Sequence, residues 1–169
     1  MGLLPLAGLA GCATAVRNAG WPGAMEGDPP RPSPMTDEQG LEAALQAMAL
    51  VGIPYRYGGN TPDSGFDCSG LIGYVYRRAA SIAPPRTVRL ISAWGQAVSA
   101  AQARSGDLVI FGSRGSASHA GIHVGQSRFV HAPSTGGTVR LNSVSEGYWA
   151  AQLLAYRRPA DLLRGPVAL

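Results

Sequence analysis

The chain has 169 residues, 46% hydrophobic and 14% charged, with a net charge of +4, a size and composition that fit one domain with a hydrophobic core and exclude a mainly disordered chain. Its basic residues are all arginine and lie scattered, adjacent only at Arg77-Arg78 and Arg157-Arg158. No basic run or stacking platform of the nucleic-acid-binding kind is present, so no nucleic-acid partner is expected.

Residues 3–10 form an apolar run that ends in small residues before Cys12. It is too short for a bilayer, which needs about 20 apolar residues, and reads as the late part of a secretory signal. Leu9-Ala10-Gly11-Cys12 resembles a bacterial lipobox, although no positive charge precedes the run. The resemblance implies cleavage before Cys12, lipidation of its thiol, and a membrane partner reached through that N-terminal lipid anchor. Ala13 stands where an aspartate would favour inner-membrane retention, so the implied address is the outer membrane, facing the periplasm. The segment that follows is dominated by proline and glycine and reads as a partly stiff tether. The division is therefore residues 1–11 as signal remnant, 12–36 as tether, 37–160 as folded domain and 161–169 as tail.

Thr36 and Gln39 have capping-box spacing and open a helix. Leu41, Ala44, Leu45 and Met48 form a stripe at helical period, expected to face the core, and Gly52 marks the stop. A glycine-rich loop over residues 57–65 leads to a second helix starting at Asp67, with Leu71, Ile72, Val75 and Ala79 on its buried side. Pro84-Pro85 ends it, and a weaker helix is expected over residues 88–97. The period then changes: residues 108–111, 119–125, 128–132, 138–144 and 151–158 read as strands, each bounded by Gly, Ser, Pro or Asn. Helices first and consecutive strands after predict an α+β fold, N-terminal helices packed on an antiparallel sheet of five to six strands.

Asp67 is a good N-cap, which puts Cys68 at the first helical position. The unpaired N–H groups and partial positive charge of a helix start favour a thiolate and would lower the cysteine pKa. The same N–H groups could hold the oxyanion of a tetrahedral intermediate. Ser69 and Gly70 are small enough for a substrate to approach. Cys68 is therefore the candidate nucleophile.

A nucleophile needs a base, and the base an orienting partner. The three histidines are His119, His123 and His131. On a strand, His119 and His123 would stand about 13 Å apart, too far for one metal ion. No metal or other cofactor is expected. Strand alternation puts His119, Gly121 and His123 on one face. His131 joins that face only if the hairpin pairing sum is even, as with a three-residue loop over 125–127. His131 then lies opposite Gly121, whose missing side chain leaves room for two imidazoles to meet. His119 follows as base and His131 as orienter, with His123 filling the face. A two-residue loop would turn His131 away.

The stretches YRYGGNTPDSGFDCSGLIGYVY, SGDLVIF, SHAGIHVG and FVHAP, within residues 45–158, resemble the NlpC-type cysteine peptidases of bacterial cell walls. The resemblance implies a papain-like fold and a peptidoglycan substrate. It implies a Cys-His-His triad of Cys68, His119 and His131. It places Tyr55, Asp67 and Ser69 beside the nucleophile as substrate-binding residues. His123 departs from the pattern, where an aromatic or aliphatic residue is usual. The implied protein is a monomeric wall endopeptidase held in the cell envelope, cutting either the D-alanyl–diaminopimelate crosslink or the γ-D-glutamyl–diamino acid bond. Two rival readings keep the sequence but change the role: an acyltransferase or amidase using the same site on another amide or a lipid, and an inactive wall-binding module.

Overall fold

The computed structural model describes residues 35–134 and 136–159; the lipobox with Cys12, most of the tether and the tail lie outside them. Helix α1 spans Asp37–Ala49. Its N-cap Thr36 accepts from the Gln39 N–H at 3.2 Å, while the Gln39 side chain accepts from the Thr36 N–H at 2.9 Å, so both arms of the capping box form. A short hairpin of β1, Asn60–Thr61, and β2, Gly65–Phe66, leads into α2, Cys68–Ala80, and then α3, Val88–Ala93. After β3, Gln96–Val98, come β4, Leu108–Ser113, β5, Ser116–Gly125, β6, Arg128–His131, and β7, Arg140–Ser143. A short α4, Gly147–Gln152, precedes β8, Leu153–Arg158. Six of the strands form one antiparallel sheet in the order β3-β8-β4-β5-β6-β7. The architecture is α+β with helices packed on an antiparallel sheet.

Strand alternation divides the sheet's residues between two apolar clusters. Leu108, Ile110, Ala120, Ile122 and Val130 join Leu71, Ile72 and Val75 of α2 in the main core. Val109, Phe111, Phe129 and Tyr156 form a second cluster, to which Trp149 of α4 adds its ring. His119 and His131 alternate with main-core residues and pack against this second cluster.

Three elements differ from the sequence reading. Of the stripe on α1 only Ala44 is buried: Leu41 and Leu45 are each 54% exposed and Met48 is 43% exposed, and Gly40, Ala43 and Ala47 join Ala44 on the buried side. Close approach selects the small side, since a β-carbon at Gly40 would lie 2.6 Å from the Ser105 carbonyl oxygen. The helix expected over 88–97 ends at Ala93; Gly95, at φ +81°, turns the chain so that Gln96–Val98 pairs with β8. The loop before Cys68 carries the β1–β2 hairpin, which its glycine-rich composition hid.

Candidate active site

The N-terminus of α2 is fixed by one carboxylate. Asp67 Oδ1 accepts from the Gly70 N–H at 2.6 Å and from the Ser69 hydroxyl at 2.9 Å, and Oδ2 accepts from the Gly58 N–H at 2.9 Å. One side chain thus caps the helix and ties it to the preceding loop. Cys68 is the first helical residue and is part-exposed. Ser69 and Gly70 are buried, and their small size serves this joint. A β-carbon on Gly70 would overlap the Gly59 carbonyl, the oxygen that accepts the Asp67 N–H at 3.1 Å.

The backbone N–H groups of Ser69, Cys68 and, from β5, Ala120, the neighbour of His119, act on the Cys68 thiol. These favour the thiolate, but burial and the Asp67 carboxylate act more strongly against it, and the thiol pKa is raised. This reverses the expectation from the helix start alone: desolvation outweighs the helix N-terminus. Tyr55 is the other expected neighbour. Its phenol pKa is raised by burial first and then by Cys68 and Asp67, which puts its hydroxyl within their electrostatic reach. A cleft of about 390 Å³ opens beside it, lined by Pro54, Tyr55, Arg56 and Asp63.

The histidines arrive through the β5–β6 hairpin. Its register pairs Ile122 with Val130 and His123 with Phe129, the even sum that His131 needs. The even sum comes about differently from the expected three-residue loop. Gly125 pairs with Arg128, so the tip holds only Gln126 and Ser127, at φ 50° and 54°, and a bulge between His123 and Gly125 absorbs the odd residue. Gly125, at φ +92°, occupies a conformation open to glycine at little cost. His119 Nε2 and His131 Nδ1 then lie 2.8 Å apart. Gly121 makes the space: a β-carbon there would sit 2.7 Å from the Phe129 ring and 3.1 Å from His131 Cβ. His123 turns elsewhere. Its Nδ1 donates to the Arg104 carbonyl at 3.1 Å and its ring meets Tyr156 edge-on, so it shares no ligand point with His119. Among the described residues no group of three potential metal ligands gathers.

Two residues here were missed in the sequence. Trp149 covers the histidine pair, its ring 5.1 Å from His119 and 4.6 Å from His131. Asn142 on β7 places Oδ1 2.8 Å from His131 Nε2. The GYW triplet gave the only hint of an aromatic cover, and nothing local marked Asn142. A second cleft, of about 190 Å³, lies against this cover between His119, Ser118, Tyr148, Trp149 and Gln152.

Burial, reinforced by His131, pushes the His119 pKa down to about 3; burial first and Arg140 next push His131 to about 4, against a raising contribution from the Asn142 hydrogen bond. Both rings are therefore neutral at neutral pH. An unfolded histidine binds its proton near pH 6.5, so the unfolded chain takes up protons first as pH falls. The pair's contribution to stability is complete above about pH 6.5 and declines from there to about pH 4 for His131 and about pH 3 for His119. The slope is at most about 1.4 kcal/mol per pH unit for each ring. Urea denaturation at about pH 7 and about pH 5 reads this loss. Replacing both rings by phenylalanine is expected to flatten it, and an unchanged dependence would assign it to other groups.

Residues 52–158 match the family model described as the NlpC/P60 family. The chain belongs to the NlpC/P60 family. Over 120 residues it is 39% identical to the murein DD-endopeptidase MepH of Escherichia coli K12, an alignment covering 69% of this chain and 44% of MepH. Over 115 residues it is 39% identical to the gamma-DL-glutamyl hydrolase of Bacillus subtilis 168, covering 67% of this chain and 28% of the hydrolase. This chain thus spans less than half the length of either relative. The crystal structure of the NlpC/P60 domain of the peptidoglycan hydrolase SagA superposes with a TM-score of 0.62 at 33% identity, covering 70% of this chain and 97% of that domain.

Proposed function

We propose that this NlpC/P60 domain is a cysteine endopeptidase of the bacterial cell wall. The observation that carries the reading is the buried, hydrogen-bonded pair of His119 and His131, with His119 next in sequence to Ala120, whose N–H favours the Cys68 thiolate. In the free enzyme the thiol keeps its proton and His119 is neutral. His119 takes the Cys68 proton as sulfur attacks a peptide carbonyl, while backbone N–H groups at the start of α2 hold the developing oxyanion. The imidazolium then gives that proton to the departing amine, leaving a thioester. Water, deprotonated by His119, hydrolyses the thioester and restores the thiol. Because the leaving amine receives its proton from His119, the cleft between His119 and Trp149 suits the amine side. The cleft beside Tyr55 suits the acyl side, with Tyr55, Asp67 and Ser69 shaping the approach to Cys68.

The relatives' names cover two different cuts, a DD-endopeptidase and a γ-DL-glutamyl hydrolase. We favour the crosslink as the bond cut, by a monomer tethered through a lipid on Cys12 to the outer membrane and facing the periplasm. Digestion of purified muropeptides, analysed by mass spectrometry, tests the activity and names the bond. New termini at a stem-peptide or crosslink bond are expected; intact muropeptides after prolonged incubation would overturn the reading. The intact mass of envelope-extracted protein tests the anchor: added lipid on a chain beginning at Cys12 is expected, and an unmodified Cys12 would refute it.

A further inference from the structure

We infer that Asn142 is a positioning residue that sets the direction of the hydrogen bonds through His131 and His119, so that His119 presents an unprotonated Nδ1. Its catalytic consequence rests on the function proposed above; the tautomer itself does not.

Three adjacent strands supply the line. On β7, Asn142 stands opposite Phe129 of β6, and His131 lies two residues further along β6 on the same face. On β5, the register that pairs Ile122 with Val130 puts Gly121 opposite His131 and His119 on the next diagonal. The contacts run Asn142 Oδ1 to His131 Nε2 at 2.8 Å, then His131 Nδ1 to His119 Nε2 at 2.8 Å.

Each contact needs one hydrogen, and each neutral ring carries one. The amide oxygen can only accept, so the His131 hydrogen must be on Nε2. His131 Nδ1 is then a lone pair, and the hydrogen in the second contact must come from His119 Nε2. That leaves His119 Nδ1 as a lone pair, able to receive the thiol proton. The opposite direction would put the hydrogen on His119 Nδ1 and disable it as a base. Once His119 is protonated, its Nε2–H polarises His131, whose Nε2–H leans on the amide oxygen; no proton reaches Asn142. Burial, with Arg140 on the same strand as Asn142, keeps His131 uncharged in the resting site against the raising effect of the Asn142 hydrogen bond.

The test uses the purified chain labelled with ¹⁵N at histidine. In free wild-type protein, His119 and His131 should each show a pyridine-like Nδ1 and a pyrrole-like Nε2. Asn142→Leu should mix the tautomers at both rings and lower kcat about 10- to 100-fold, with KM little changed. Asn142→Asp keeps an oxygen acceptor. It should preserve the tautomers, restore most of the lost kcat, and move the acid limb of the pH profile upward through its charge. A wild-type proton on His119 Nδ1, an unchanged His119 tautomer in Asn142→Leu, or an aspartate variant as impaired as the leucine one would each overturn the inference. Wild-type protein with the stated tautomers but no muropeptide hydrolysis supports the inference and refutes the proposed function instead.

Discussion

Cys68→Ala is expected to abolish muropeptide cleavage, and His119→Ala to lower it on the order of 10⁴-fold, because the proposed chemistry needs both groups in one step. The combined variant is expected to be no worse than Cys68→Ala, since a base without its nucleophile has nothing to activate. Binding is a separate matter: neither change removes the clefts on the two sides of the site, so affinity for uncut muropeptide should stay close to wild type. Single-turnover rates with calorimetric titration separate the two quantities. Strictly additive losses would mean that the two side chains act in different steps. The raised thiol pKa sharpens the forecast for His119. A pre-formed thiolate would keep much of its reactivity without a base, whereas a protonated thiol loses nearly all of it. Alkylation of Cys68 at about pH 6 should therefore slow strongly in His119→Ala; an unchanged rate would point to a thiolate formed without that ring.

The second large effect comes from a glycine. Gly70→Ala should destabilise the chain by about 3 kcal/mol and cost most of the activity. In an ordinary helix interior the change would stabilise by up to about 1 kcal/mol. Here the new methyl would overlap the Gly59 carbonyl. That carbonyl accepts the Asp67 N–H, so moving it disturbs the carboxylate that caps α2 and holds Ser69 and Gly58. The overlap outweighs the helical gain. Gly73→Ala, one turn further along the helix, is the control: its methyl would meet only the end of the flexible Arg77 side chain, at 3.0 Å. Denaturant titration of the two variants should give opposite or near-opposite signs; equal effects would mean that the Gly59–Gly70 contact is not what constrains this joint.

What could be read in the sequence was local or set by parity. The Thr36–Gln39 box and the Asp67 cap each depend on residues within three positions, and both form. The even pairing sum that turns His131 toward His119 follows from strand alternation. The way the hairpin achieves it does not, because a two-residue tip with a bulge at Gly125 and a three-residue loop preserve the same parity. Periodicity also identified a stripe on α1 but not its direction. Leu41, Leu45 and Met48 have the helical spacing of a core face, yet the close approach of Gly40 to Ser105 turns the side with Gly40 and the alanines inward. Helix-start electrostatics predicted a lowered thiol pKa, and burial, which no local pattern reveals, reversed the sign. Trp149 and Asn142 were missed for a related reason: each meets the histidine pair from a different element, and no local pattern gives that contact.

The most direct measurement is mass spectrometry of the protein quenched in acid during turnover of a muropeptide. An acyl group linked as a thioester to the peptide carrying Cys68, absent from Cys68→Ala, is the expected result. Acylation of a different residue, or product released by Cys68→Ala, would contradict the assignment of that sulfur as the nucleophile.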